Sequence, residues 1–242
     1  MRFSFATEPA IFVERPNRFV VVARTRSGDH VRAHCPDPGR LRELLVQGAR
    51  LHLSSVPRAE RRTTHEVRFV EHPENGTLIS LDSRLANALF REVLDQRRFR
   101  PFDVWTDYRV EVPAPAASGP IRSRLDFLVE YGVSGQLWVE VKSATLVEGR
   151  CAYFPDAVTE RGRRHIAELT EMQQSGERCA VCFVVQRPDA DLLRPQWDRD
   201  QAFAQALADA ESAGVLLRAF TTDIALTHAS IIRPIPVVTR RP

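Results

Sequence analysis

Lysine is almost missing from this chain. Of its 34 lysines and arginines only Lys142 is lysine, so arginine fills every other cationic position. An exposed solubilising charge tolerates either residue. The two stop being equivalent where a compact ammonium must approach a metal, a water or a phosphate oxygen. Lys142 is therefore a candidate functional residue, set against the bland reading of a strand-end ion pair. Cysteine is also scarce: Cys35, Cys151, Cys179 and Cys182 are too few and too scattered for a disulfide framework. Cys179 and Cys182 have CxxC spacing, but they lie in an apolar run, residues 179–185, that reads as a buried strand. Residues three apart on a strand face opposite sides, so these are read as buried thiols, not as a chelate. His34 and Cys35 have no second ligand pair nearby, which excludes a structural zinc site. No apolar run approaches the ~20 residues that span a bilayer, and Glu8 and Pro9 interrupt any signal-peptide core. The expectation is a cytoplasmic protein without a membrane partner.

What is present is ordinary in bulk: 242 residues, 43% apolar and 27% charged, enough for one large domain or two modest ones. The net charge of +3 is too small to establish a nucleic-acid partner, but it is unevenly spread. Residues 1–81 hold 13 arginines against 9 acids, whereas residues 82–242 hold 21 cations against 22 acids. The basic excess belongs to the first third, as expected of a segment that grips phosphates.

That first third reads as β. Residues 10–15 and 19–26 are β-branched and aromatic runs, a Ser27-Gly28-Asp29 turn leads into residues 31–35, and residues 50–56 and 66–71 follow. One short helix is expected over residues 39–46. Five short strands in so few residues point to an OB-like barrel over residues 1–81. From residue 82 the pattern changes to a helix over 84–98 begun by Asp82 or Ser83, a strand around Tyr108–Val112, paired strands 122–130 and 136–143, a helix over 158–174, a buried strand 178–186, a helix over 198–213 and a strand 215–220. This order describes a mixed α/β domain over residues 82–242.

The chemistry gathers on the paired strands. Glu140 and Lys142 share one face of Val139-Glu140-Val141-Lys142 by strand alternation. Leu125, Phe127 and Val129 are expected on one face of the partner strand, leaving Asp126 on the other. Two carboxylates with the main-chain carbonyl of Val141 form an oxygen-rich set suited to Mg²⁺ or Mn²⁺ retaining several waters. Lys142 would orient or deprotonate one such water for attack on a phosphodiester.

With the runs His34-Cys35-Pro36-Asp37-Pro38-Gly39, Ser123-Arg124-Leu125-Asp126-Phe127-Leu128, Val139-Glu140-Val141-Lys142-Ser143, Phe154-Pro155-Asp156-Ala157-Val158-Thr159-Glu160-Arg161-Gly162 and Val185-Gln186-Arg187, the chain resembles the sugar fermentation stimulation protein (SfsA) family over nearly its whole length. The resemblance implies an N-terminal OB-like domain, a C-terminal domain of the PD-(D/E)xK nuclease fold, DNA binding and a regulatory role in sugar metabolism. It places the nuclease-type motif on Asp126, Glu140 and Lys142, with Leu125 where the motif's name has proline. Pro155-Asp156 opens a helix after the core strands and is set aside. The family usually has Asn-Thr where this chain has Asp37-Pro38, which weighs against a polar role for that loop. In this fold the helix before the sheet often lends an acid, and Glu92 is the candidate fourth metal ligand. Arg161 and His165, one helical turn apart, are candidates to hold a phosphate. Gln186 is a candidate cleft residue, and Arg122 and Arg124 are candidate contacts to DNA phosphates. Trp105, Trp138 and Trp197 are read as packing residues. The function expected is a Mg²⁺-dependent, nuclease-type DNA-binding protein. Its rivals are a regulator that kept the nuclease scaffold without turnover, and a protein acting on RNA or a nucleotide.

Overall fold

The computed structural model describes residues 1–56, 63–115 and 123–241. Six strands come first: β1 (Glu8–Asn17), β2 (Val20–Thr25), β3 (His30–His34), β4 (Arg50–Ser55), β5 (His65–Glu71) and β6 (Leu78–Ser80). The first five close into a barrel. β1 pairs antiparallel with β2 and β4, β2 with β3 and β4 with β5, and a short parallel pairing of β3 with β5 (Ala33↔His65, His34↔Glu66) completes the ring. Alternation drives it: Val21 and Ala23 of β2 are fully buried between partly exposed Val20 and Val22, and they meet Ala33, Leu51, Leu53 and Val67 in one core.

The helix expected over residues 39–46 does not form; that stretch is a series of turns. Leu41 adopts a left-handed backbone (φ 52°) that no helix continues through. The carbonyls of Gly39 and Arg40 both accept from the Arg15 guanidinium at 2.8 Å, as does that of Asp37 at 3.0 Å. Leu41 and Leu44 instead drop into the barrel core.

The remainder is a three-layer α/β unit. Its elements run α1 (Leu85–Asp95), β7 (Asp107–Pro113), β8 (Arg124–Glu130), a 3₁₀ turn (Gly132–Ser134), β9 (Gln136–Ala144), β10 (Val147–Glu148), β11 (Cys151–Phe154), α2 (Glu160–Gln174), β12 (Cys179–Val185), β13 (Leu192–Pro195), α3 (Gln201–Ser212), β14 (Leu216–Ile224) and β15 (Ala229–Ile235). The main sheet has the order β15-β14-β12-β9-β8-β7, parallel through β14, β12 and β9 and antiparallel outside them. α1 covers one face with Leu89, Phe90 and Val93 against Phe127, Val139 and Phe220. α2 and α3 cover the other with Ile166, Leu169, Phe203 and Leu207 against Leu128 and Phe183. A small sheet β10-β11-β13 lies apart from the main one. β12 is buried along its whole length, with Cys179 packed among the α2-side residues and Cys182 among the α1-side ones. Thr159 caps α2 by accepting from the Gly162 N–H at 3.0 Å, and Asp200 caps α3 through the Phe203 N–H at 3.0 Å. All three indole N–H groups are partnered: Trp105 with the Leu94 carbonyl, Trp138 with Glu177 and Trp197 with the Thr239 carbonyl. Among the described residues no helix is long and apolar enough to cross a membrane.

Candidate active site

The site lies where β8 and β9 part. Their antiparallel pairing runs from Glu130↔Gln136 to Phe127↔Val139, so the next step sets Asp126 opposite Glu140. Leu125 does not share the face of Phe127 and Val129 as expected. It packs on the α2 side while those two pack on the α1 side, so β8 turns over at Asp126. Asp126 takes up the broken ladder: Oδ2 accepts the Val141 N–H at 2.7 Å, and Oδ1 accepts the Asn87 amide of α1 at 2.7 Å.

Glu140 is buried on the same side. Its Oε1 accepts from Lys142 Nζ at 2.5 Å and from His165 Nδ1 at 2.6 Å, which requires the proton of the ring on Nδ1. Its Oε2 is enclosed and has no hydrogen-bond partner among the described residues. Burial alone would push the Glu140 carboxyl up, but the His165 bond and the Lys142 charge together hold it below its ordinary value. Asp126 goes the other way, pushed up to about 6 by burial and by the Glu140 charge despite its two hydrogen bonds. Of the pair, Asp126 is the carboxyl that keeps a proton longer.

These residues form the floor of a cleft of about 700 Å³ whose far wall comes from the barrel. Arg18, Asp37, Pro38 and Gly39 line it from that side; Arg84 and Asn87 do so from the start of α1, and Arg161 from the start of α2. The loop 36–41 is clamped from both directions. Arg15 holds its carbonyls from within the barrel, and Asp156 accepts the Leu41 N–H at 2.7 Å from the α/β unit while pairing with Arg199. A side chain on Gly39 would press against Asp37 Oδ1 (2.9 Å) and Asp156 Oδ2 (3.0 Å), so any larger residue there would have to displace these carboxylates. Asp37 therefore does have a polar place in the cleft wall: Oδ1 accepts the Gly39 N–H at 2.7 Å, and burial with the Asp156 charge pushes its carboxyl up to about 6. Asp156 is a domain-seam residue.

The structure thus brings Asp126, Glu140, Val141, Lys142 and Arg161 into one cleft. It does not bring Glu92 there. Glu92 lies on α1 well round from Asn87 and pairs with the amino group of Met1 at 2.8 Å; the helix lends the site the amide of Asn87. His165 is buried behind Glu140, so it braces the carboxylate and is not placed to hold a phosphate. Gln186 is fully buried, donates to the Ser143 hydroxyl at 3.1 Å and stays out of the cleft lining. Arg124 is exposed, contacts the Glu111 carbonyl at 3.2 Å and does not line the cleft. Arg122 lies outside the described residues. Among the described residues no three His, Cys, Asp or Glu side chains stand close enough to share a metal. The oxygen donors at hand are Asp126, Glu140 and the Val141 carbonyl.

Comparison with known proteins gives a consistent picture. Residues 13–81 match the family described as the SfsA N-terminal OB domain, and residues 84–228 match the sugar fermentation stimulation protein RE domain. The chain is similar to the sugar fermentation stimulation protein homolog of Moorella thermoacetica, with 42% identity over 229 residues covering 94% of this chain and 95% of the relative. It is 39% identical over 241 residues to the homolog of Acetivibrio thermocellus, covering 98% and 99%. Among solved structures it resembles one described as Pyrococcus furiosus SfsA in complex with Ca²⁺, with a TM-score of 0.84, 29% identity and 98% of each chain covered.

Proposed function

The chain belongs to the sugar fermentation stimulation protein family, and from that premise we propose that its cleft is a PD-(D/E)xK-type phosphodiester-hydrolysing site, dependent on Mg²⁺ or Mn²⁺ and acting on DNA. The observation that carries this reading is Glu140 Oε2, a carboxylate oxygen enclosed beside a second carboxylate and left without a donor. A buried ionised oxygen without a partner is costly, and a cation is what such an oxygen fits. The donor set of two carboxylates and one carbonyl suits a hard divalent ion that keeps several waters, and the relative described with Ca²⁺ supports the same class.

A bound Mg²⁺ or Mn²⁺ would supply an acidified water and neutralise charge on the phosphate. The chain's own residues do the rest. Asn87 and the Val141 N–H fix the Asp126 carboxylate, and each of its oxygens keeps a further lone pair for the site. His165 holds Glu140 by Oε1 and turns Oε2 free. Lys142 spends one of its three N–H bonds on Glu140, leaving the others to orient the attacking water or a phosphate oxygen. Arg18 and Arg161, both exposed on opposite walls, are placed to take the flanking phosphates.

The test is cleavage of single- and double-stranded DNA and RNA with Mg²⁺ or Mn²⁺, wild type against Lys142→Ala. Wild type should cut DNA and the variant should lose about a hundredfold or more. Equal inertness of both proteins on every substrate, with DNA binding retained, refutes turnover and leaves a nucleic-acid-binding regulator. Cutting confined to RNA transfers the site to that substrate.

A further inference from the structure

Phe19 sits in the turn between β1 and β2 and is 52% exposed, the one aromatic among the large apolar side chains that stand out from the described surface. Scattered exposed hydrophobic residues need no explanation by themselves. This one is braced. Its N–H donates to Asn17 Oδ1 at 2.9 Å, and its carbonyl accepts from the Cys35 N–H at 2.9 Å and meets His34 Nδ1 at 3.2 Å. The ring lies nearly parallel to the His34 imidazole, 15° apart in plane with centroids at 6.5 Å. The preceding residue, Arg18, has its carbonyl held by Arg15 at 2.6 Å and lines the cleft. Arg32, two residues before His34 and on its face of β3, is exposed as well. A flat apolar ring therefore stands in solvent on a turn fixed by main-chain bonds, next in sequence to Arg18 at the barrel edge of the cleft that contains Lys142.

We propose that Phe19, with Arg18, forms a base-stacking subsite for single-stranded nucleic acid led toward the carboxylates. This deepens the reading given above and rests on it. Every base has a π-face, so an exposed ring binds any unpaired base by stacking, while a guanidinium beside it meets the phosphate. In a duplex those faces are covered by neighbouring base pairs, so a protruding ring gains nothing from it. The β1–β2 turn and the β2–β3 surface are also where a barrel of this topology presents its oligonucleotide-binding face. The Phe19–Arg18 subsite thus selects strands by their unpaired bases, and the cleft receives the phosphodiester that follows.

The experiment measures binding by fluorescence anisotropy in Ca²⁺. Its probes are a short oligothymidine, an oligouridine, a duplex and an abasic strand of the same length. Phe19→Ala removes an exposed ring from a turn fixed by main-chain bonds, so the fold is not at stake, and Phe19→Trp restores a stacking surface. Phe19→Ala should weaken binding of the oligothymidine, the oligouridine or both by roughly 5- to 150-fold; which of the two responds tells DNA from RNA. Phe19→Trp should bind as wild type does, and duplex and abasic-strand binding should not respond to Phe19. Unchanged single-strand binding in Phe19→Ala, an equal loss on abasic and normal strands, or no binding of any strand overturns the subsite. Because the readout is base-dependent binding and not turnover, it can fail while Lys142-dependent cleavage stands, and it can succeed where cleavage is absent.

Discussion

Replacing Asp37 by asparagine should stabilise this protein at neutral and alkaline pH while leaving its stability at acid pH nearly unchanged. Asp37 is only 7% exposed, and its carboxyl is pushed from 3.8 up to about 6, chiefly by burial and further by the charges of Asp156 and Asp82. The Gly39 N–H and the Arg15 guanidinium lower it without offsetting the burial. A carboxyl with a raised native pKa is proton-hungry in the folded state. The stability linked to that proton is complete below the unfolded value of 3.8 and is lost as pH rises through about 6. A rise of about two units corresponds to about 3 kcal/mol. Asparagine keeps an oxygen to accept the Gly39 N–H, fits the same volume and has nothing to ionise. Thermal unfolding of wild type and Asp37→Asn at about pH 4.5 and about pH 8 checks this. At the higher pH the variant should melt about 5–10 °C above wild type, and the gap should shrink toward zero at the lower one. A gap independent of pH would show that the Asp37 carboxylate is ionised at no cost and that the electrostatic account of loop 36–41 is wrong. The substitution also removes a negative charge from the cleft wall, so phosphate-bearing ligands should bind more tightly.

Other expectations follow from the same contacts. His165→Ala removes one of the two donors on Glu140 Oε1, so calorimetric Ca²⁺ affinity should fall about 10- to 100-fold, with His165→Asn recovering part of it; an unchanged affinity would deny His165 its bracing role. Glu92→Gln should leave Ca²⁺ affinity and any cleavage untouched, because Glu92 pairs with the Met1 amino group away from the cleft. Arg15→Ala strips the donors from the carbonyls of Arg18, Asp37, Gly39 and Arg40, and urea unfolding should show a loss of about 2–4 kcal/mol. If arginine–phosphate contacts dominate, nucleic-acid affinity should fall steeply with salt, and removing Arg18 or Arg161 should flatten the logarithmic slope by about one each.

The catalytic-looking residues were legible because strand alternation is a local rule. Glu140 and Lys142 two apart, and Asp126 on the adjacent strand, follow from period-two geometry once two apolar runs are paired. The barrel was legible for the same reason. Short strands were not: β6, β10, β11 and β13 span three, two, four and four residues and carry too little pattern to stand out. The helix expected over residues 39–46 failed because its apolar spacing serves a loop whose polar groups Arg15 and Asp156 claim from opposite sides. The resemblance implies an acid from the helix before the sheet, which pointed to Glu92, whereas rotation around α1 decides which side chain reaches the site, and it presents Asn87. Asp37, Arg18 and Asp156 reach the cleft by contacts across more than a hundred residues of chain in the Leu41–Asp156 case, which no local periodicity encodes.

The near absence of lysine also makes the candidate site observable without mutation. Reductive methylation with isotopically labelled formaldehyde can mark only one ε-amino group in this chain, that of Lys142, beside the α-amino group. The nitrogen bonded to Glu140 would therefore give a single side-chain carbon resonance with no assignment to resolve. Its chemical shift would move when a cation displaces the ammonium from Oε1 or a phosphate approaches it. Its rate of labelling would report how often the Lys142–Glu140 contact opens.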